Sequence, residues 1–289
     1  LTLVMINNKY TYPELIRVEK NDVRYYQDSK ENLVPSVTTI LSATGDHSGI
    51  DAWKRRVGPK TAKEVVLEAT TIGTAVHLAI ENYLNGIEWQ DFSEDRLGLM
   101  AHQIAKRFVD DCLGDIEEVW GLESGLVVDG LYAGTADCIG VFKGRPTIID
   151  FKTAKKIKRK DWIEDYFLQG AAYANAHNVM YETNIDSIAI LMVDRDLLFK
   201  EFLVEKKEFD MFLFKKRLIR IIIFSILSGS IYFIITLVLE RIGVYDFRIS
   251  AHIKLIFALM IFGVIKIISS LLSAAMGARA DVKDLKKVN

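Results

Sequence analysis

Three β-rich runs fill the middle of the chain, Glu117–Val128, Leu131–Phe142 and Pro146–Thr153, and two Xaa-Gly pairs, Asp129-Gly130 and Lys143-Gly144, divide them. An Asp-Gly or similar pair between alternating apolar runs is the strongest short-range signal of a tight hairpin, so the three runs are expected to form an antiparallel meander. A two-residue turn also sets the register. With Lys143-Gly144 at the tip, Phe142 opposes Arg145, and counting outward places Asp137 directly opposite Asp150. Side chains that face each other across such a pair have Cβ atoms about 5 Å apart.

Two carboxylates at that separation repel unless something neutralises them. A divalent cation does so, and hard oxygen ligands suit Mg²⁺ or Mn²⁺. Alternate residues of a strand share a face, so Asp150 and Lys152 point the same way. Lys152 is then placed to act on a water, or to stabilise charge that develops during phosphoryl transfer. The competing reading is a solvated hairpin end, with Asp137 and Lys152 in a surface ion pair of little energetic weight. Directly after this strand, five cations crowd into six residues: Lys155, Lys156, Lys158, Arg159 and Lys160. Beside a phosphate-handling site they form a DNA-contacting run; on composition alone they are a solvated loop.

Around the meander the sequence alternates helix and strand signals. Arg17–Tyr26 reads as a hairpin around Asn21-Asp22, and Ser36 as the N-cap of a short helix. Gly49 to Gly86 carries helical periodicity and stops at a glycine, a common helix terminator. Ser93 is expected to cap the next helix, through about Leu113. Asp165–Asn178 reads as a helix, and two strands follow around Arg195-Asp196. The expected fold class is therefore α/β, one mixed central sheet flanked by helices. Trp53 and Trp162 could stack on unpaired bases, but core positions are the reading that residue type favours.

The chain of 289 residues carries 37 Lys and Arg against 38 Asp and Glu, a near balance that hides two different halves. Residues 1–217 hold 28 basic and 34 acidic side chains, whereas 218–289 hold nine and four. The second part is also strongly apolar. Nineteen consecutive residues from Ile221 to Leu239 are uncharged, about the length that spans a bilayer. A second apolar stretch runs from Ile253 to Met276, interrupted by Lys254 and Lys266. The expected organisation is a catalytic domain over 1–214 and a hydrophobic tail over 215–289, with two membrane spans at about 218–239 and 253–276. Flanking cations put both ends of that hairpin, and the catalytic domain, on the cytoplasmic side. A buried helical hairpin, or a fused reading frame, are the alternatives for the tail. No basic segment precedes the short apolar start, so no signal peptide is expected, and Met5 is a candidate initiator.

Only two cysteines are present, Cys112 and Cys138, without CxxC spacing. They exclude a disulfide framework and a zinc or iron–sulphur site, and they point to a reducing compartment.

Gly134–Cys138 followed by Ile149–Thr153 ("GTADC … IDFKT") resembles the core of the PD-(D/E)XK nuclease superfamily, in which an acid ends one strand and acid-x-Lys lies on the next. Val34–Leu41 ("VPSVTTIL"), Asp51–Arg56 ("DAWKRR"), Gly73–Glu81 ("GTAVHLAIE"), Leu122–Cys138 and Leu168–Asn178 ("LQGAAYANAHN") stand in the order of its RecB-like exonuclease branch. That branch includes mitochondrial genome maintenance exonucleases and phage relatives, and the resemblance covers roughly residues 30–205. It implies a restriction-endonuclease-like core and a metal-dependent DNA exonuclease, with DNA ends or single strands as substrate and replication, recombination or repair as the setting. It implies that Asp137 and Asp150 bind the metal, with the Phe151 backbone carbonyl as a further ligand, that Lys152 is catalytic, and that His77 reaches a metal from a helix. Glu81 lies one turn on, at i+4, and so shares the face of His77, either supporting the site or merely solvated. Glu123 matches an acid on the preceding strand, with metal binding, DNA contact and ordering of the site all open. Gln169 and Tyr173 resemble a Gln-x-x-x-Tyr helix motif beside the site, against ordinary packing as the plain reading. With two cysteines the chain resembles the members that carry no iron–sulphur cluster. A structure-specific endonuclease of the same fold, or a membrane-anchored nucleic-acid-binding protein without turnover, are the alternative functions; protein partners are unknown.

Overall fold

The computed structural model describes residues 5–205 except 8, 21, 22, 46 and 47, together with Glu208. Both expected membrane spans therefore lie outside the described residues. Among the described residues no helix is long and apolar enough to cross a membrane.

In chain order, the elements are β1 (Met5–Ile6), β2 (Arg17–Lys20), β3 (Val23–Gln27), β4 (Leu33–Pro35), α1 (Val37–Thr44), α2 (Ser48–Val57), α3 (Pro59–Leu84) and α4 (Arg96–Asp111). They continue with β5 (Ile116–Val128), β6 (Tyr132–Phe142), β7 (Arg145–Ala154), a 3₁₀ turn (Lys160–Trp162), α5 (Glu164–Tyr181), β8 (Ser187–Asp194) and β9 (Phe199–Glu205). β2, β3 and β4 form a small antiparallel sheet; the main sheet has six strands in the order β1-β5-β6-β7-β8-β9.

The expected meander is present, and the turn sets its register as expected. Phe142 pairs with Arg145 and Cys138 with Ile149. Lys143 and Gly144 both have positive φ, 51° and 75°. That is the type I′ geometry whose twist matches paired strands. The ladder ends at Cys138, so Asp137 and Asp150 lie one step beyond its last bonded pair. From β7 the chain crosses through α5 to β8, which pairs with β7 in parallel. A crossover of that kind needs a helix-length connection. β8 is buried at all eight positions, as expected for a strand with both faces covered.

Each sheet face has its own core. On one, Ile72, Val76, Ala79 and Ile80 of α3 and Ile104 and Phe108 of α4 pack on Ile149, Phe151 and Leu191. On the other, Phe167, Ala174 and Tyr173 of α5 pack on Ile148, Ile188 and Ile190. The helical stretch from Gly49 to Gly86 divides into two helices at Gly58-Pro59. Proline takes the first helical position of α3, where its missing N–H costs nothing. α2 buries no residue, so Trp53 does not occupy the core position expected of it. α1 is capped by Ser36, whose hydroxyl accepts from the Thr39 amide at 3.0 Å. The cap of α4 is Asp95, not Ser93: its carboxylate accepts from the Leu97 and Gly98 amides, both at 2.8 Å. An ionised acceptor at a helix N-terminus gains from the helix dipole as well as from the hydrogen bonds.

The N-terminal segment packs through an aromatic cluster that the sequence patterns did not reveal. Tyr10, Tyr12, Trp120 and Tyr181 surround His177, which is fully buried. Its Nδ1 lies 2.7 Å from the Thr183 hydroxyl and its Nε2 lies 3.0 Å from the Tyr12 hydroxyl. Thr183 spends its one proton on Asn178; Nδ1 is therefore the donor to Thr183, and Nε2 accepts from Tyr12. This arrangement satisfies a neutral ring, and burial lowers the His177 pKa to about 4. The folded value lies below the unfolded one, near 6.5. Stability from His177 is thus complete above about pH 6.5 and is lost as pH falls through about 4, with a full range on the order of 3 kcal/mol. Urea midpoints between pH 7 and 4.5 should fall more steeply for the parent than for His177→Gln, and parallel curves would refute the assignment.

Candidate metal centre

The site assembles where β5, β6 and β7 meet α3. His77 lies on α3 one residue after Val76, which is fully buried in the core, so packing of the apolar stripe fixes the azimuth of the ring. One ring nitrogen, Nε2, lies 2.9 Å from the Phe151 carbonyl. A carbonyl can only accept, so Nε2 carries the proton and Nδ1 faces the acids. Nδ1 is 3.8 Å from Glu123 and 3.7 Å from Asp137. The Phe151 amide donates to Asp137 Oδ2 at 3.0 Å. One residue of β7 thus orients both the α3 histidine, through its carbonyl, and the β6 acid, through its amide.

His77, Glu123 and Asp137 each offer a ligand atom, and those atoms lie within 4.8 Å of one another. An imidazole whose other nitrogen donates to a backbone carbonyl, beside two carboxylates, is a donor set that suits a divalent cation. Burial lowers the His77 pKa, but the Glu123 and Asp137 carboxylates outweigh it and hold the ring above its ordinary value. Glu81, one helical turn from His77, has its pKa raised by burial and by the Glu123 charge. The grouped carboxylates thus push both pKa values upward, at Glu81 in addition to burial.

Asp150 is placed differently from Asp137. It is 3% exposed and pairs with Lys152 rather than joining the group of three. Lys152 Nζ lies 2.7 Å from Oδ1 and 2.6 Å from Oδ2. Only the Oδ1 contact has hydrogen-bond geometry, and the buried Oδ2 keeps no hydrogen bond. A carboxylate oxygen without a donor in a buried site also fits a cation nearby. Burial raises the Asp150 pKa against the opposing pull of Lys152. Burial works the other way on Lys152, but Asp150 and Asp137 prevail and hold it protonated.

Glu123 has φ +43°, the left-handed region, inside a β-strand. Its neighbours keep regular pairing, Leu122 with Cys138 and Ser124 with Ala136. A non-glycine residue in this conformation costs about 1 kcal/mol or more and persists where the surroundings impose it, which is common at functional sites. No sequence signal identifies a strained residue of this kind.

Gln169 and Tyr173 stand on α5, and Gln169 Nε2 donates to the Tyr173 hydroxyl at 3.2 Å. Tyr173 lies against Gly134 of β6, where a Cβ would stand 2.8 Å from the ring. Any side chain at 134 would displace the tyrosine. Both residues thus back the site from the α5 face.

The basic run is only partly free. Lys155 and Lys156 are exposed. Lys158 donates to the Tyr166 hydroxyl at 2.8 Å, Arg159 pairs with Asp161 and Lys160 with Glu208. Exposed pairs of this sort are weak and can be exchanged for phosphate. The run is tied down by Asp194, a buried residue that the sequence reading missed. One of its oxygens accepts from the Ile157 amide at 3.0 Å, and the other from the Asp196 and Leu198 amides at 2.9 and 3.0 Å. One carboxylate therefore closes the β8–β9 turn and anchors the loop that carries the cations. An acid at the end of an apolar strand was the available signal.

The motif resemblance is supported by comparison with curated proteins. The chain is similar to mitochondrial genome maintenance exonuclease 1 of Homo sapiens, 29% identical over 180 residues, 58% of this chain and 51% of that protein. The protein of the same name from Mus musculus is 28% identical over 182 residues, 58% of this chain and 52% of the relative. That of Xenopus tropicalis is 28% identical over 178 residues, 56% and 49%. The chain spans about half the length of the curated relatives it matches. No family model matches it.

Proposed function

We propose that residues 1–214 form a metal-dependent deoxyribonuclease of the PD-(D/E)XK, RecB-like kind that removes nucleotides from DNA ends or single strands. The observation that carries this reading is the convergence of His77, Glu123 and Asp137 beside the Asp150–Lys152 pair. The exonuclease name of the relatives supports it.

His77, Glu123 and Asp137 would hold Mg²⁺ or Mn²⁺, beside the Asp150–Lys152 pair. When bound, the ion supplies Lewis-acid stabilisation of the phosphodiester and a more acidic water. The Phe151 carbonyl and amide keep His77 and Asp137, respectively, in the orientation that coordination needs. Lys152 is held as an ammonium by its acid neighbours, so its role is electrostatic: it stabilises the charge that builds on the phosphoryl oxygens. Asp150 positions Lys152. Lys155 and Lys156 add positive potential against a mildly acidic body, which raises the local concentration of DNA.

End-labelled single-stranded and duplex DNA should be degraded in Mg²⁺ or Mn²⁺ and spared in EDTA. Asp137→Asn should lower the rate about 100-fold or more, the scale of losing one such stabilising group. Undiminished digestion by this variant would overturn the assignment. A circular single strand should survive, and its cleavage would point to an endonuclease of the same fold.

A further inference from the structure

Three cations of the run that follows β7 lie against aromatic rings. Lys158 Nζ is 5.0 Å from the Tyr166 ring centroid, Arg159 Cζ is 5.9 Å from that of Trp162, and Lys160 Nζ is 5.8 Å from that of Phe167. Two of these rings are packed into the body, but Trp162 is 71% exposed. Sequence reasoning favoured a core position for it, and the structure overturns that. The exposure does not come from a loose segment: Ile163, the next residue, is fully buried and Phe167 is 2% exposed. The Trp162 amide donates to the Arg159 carbonyl at 3.0 Å, closing the 3₁₀ turn. Arg159 is itself steadied by two bonds to Asp161, at 3.1 and 3.0 Å.

Isolated exposed apolar side chains are common, and what distinguishes Trp162 is its surroundings. The turn leads into Tyr166, whose ring centroid is 5.0 Å from Lys152 Nζ, so this segment returns to the candidate site. An indole fixed by an anchored turn, with a guanidinium against it and the exposed ammonium groups of Lys155 and Lys156 earlier in the same run, combines the two elements of single-strand recognition. Those are a π-face that accepts any base and cations for the phosphates. We infer that Trp162, with Arg159, is a stacking post for an unpaired base of the strand that enters the site. This assigns a substrate-positioning residue to the proposed nuclease and rests on that reading for the identity of the strand.

The test uses the full chain and a mixed-sequence single-stranded oligodeoxynucleotide in EDTA, so that binding is read without turnover. Trp162→Ala should weaken binding about tenfold, Trp162→Phe should retain most of it, and the melting temperature should not change. Binding should quench tryptophan emission in the parent and less so in Trp162→Ala. Moving one abasic site along the oligonucleotide should expose a position whose loss costs the parent as much as Trp162→Ala does, and costs that variant nothing more. In Mg²⁺, Trp162→Ala should raise KM about tenfold with kcat within about twofold. Equal binding by the parent and Trp162→Ala overturns the post, even if DNA is cleaved normally. Stacking by a parent protein that cleaves no DNA leaves the post standing and overturns the nuclease.

Discussion

Replacing Lys152 with methionine is expected to lower DNA hydrolysis about 10³-fold while keeping the shape of the side chain. A preorganised charge aimed at a developing anion is commonly worth two to three decades of rate, on the order of 3–4 kcal/mol, and Lys152 is the ammonium group buried with Asp150 at the site. Its loss also bears on the fold. Asp150 is buried, and burial already raises its pKa against the pull of Lys152. Without the ammonium the acid rises further, since breaking a buried pair leaves the remaining charge uncompensated, at about 3–5 kcal/mol when it stays ionised. The sign follows from which state binds the proton. A carboxyl whose folded pKa is raised contributes stability that is complete below its unfolded value, near 3.9, and lost as pH rises through the folded one. In EDTA, Lys152→Met should therefore unfold at lower urea at pH 8 than at pH 5.5, by a margin wider than in the parent. Adding Asp150→Asn should restore the pH 8 midpoint and leave the activity lost. A Lys152→Met enzyme within about threefold of the parent rate would remove Lys152 from the chemistry.

Glu123→Gly is expected to separate function from stability in opposite directions. The parent residue holds a left-handed backbone, φ +43°, which glycine adopts without steric cost. It also sets a third carboxylate beside those of Asp137 and Glu81. Its replacement relieves both strains, partly offset by the loss of its contact with His77 and by the greater freedom of glycine in the unfolded chain. The net expectation is a gain of about 0.5–1 kcal/mol in urea unfolding. Metal-dependent hydrolysis should fall about 100-fold, because one of three candidate ligands is gone. Glu123→Gln separates the causes: it should lose activity similarly, and it keeps the backbone strain. Full activity in Glu123→Gly would show that the acid serves neither cation nor substrate, and a loss of stability would refute the strain argument. A residue that costs stability where it stands is the pattern expected when activity, rather than packing, keeps it there.

Some of this architecture was legible because the signals were local. Lys143-Gly144 specifies its own turn, and the pairing of Phe142 with Arg145 follows within two residues. From there the alternation of a strand carries Asp150 and Lys152 to one face. Ser36 likewise caps α1 through an amide three residues away. The expectation that Ser93 caps α4 failed because Asp95, two residues on, is an equally good cap and is the one that accepts from the Leu97 and Gly98 amides. The parallel pairing of Met5–Ile6 with Glu118 and Val119 joins residues more than a hundred positions apart, so no local pattern could announce it.

The sequence by itself determined the meander, its register, the helix that returns from β7 to β8 and a candidate set of site residues. Each of these depends on periodicity and turn stereochemistry, which act over a few residues. Only the tertiary structure decided how that set divides. Docking of α3 on the sheet brings His77 to Glu123 and Asp137, and the end of the β6–β7 ladder leaves Asp150 to Lys152. The left-handed backbone at Glu123, the anchoring of the basic run by Asp194 and the exposure of Trp162 belong to the same group. They are set by contacts between distant segments, whose energies do not depend on spacing along the chain.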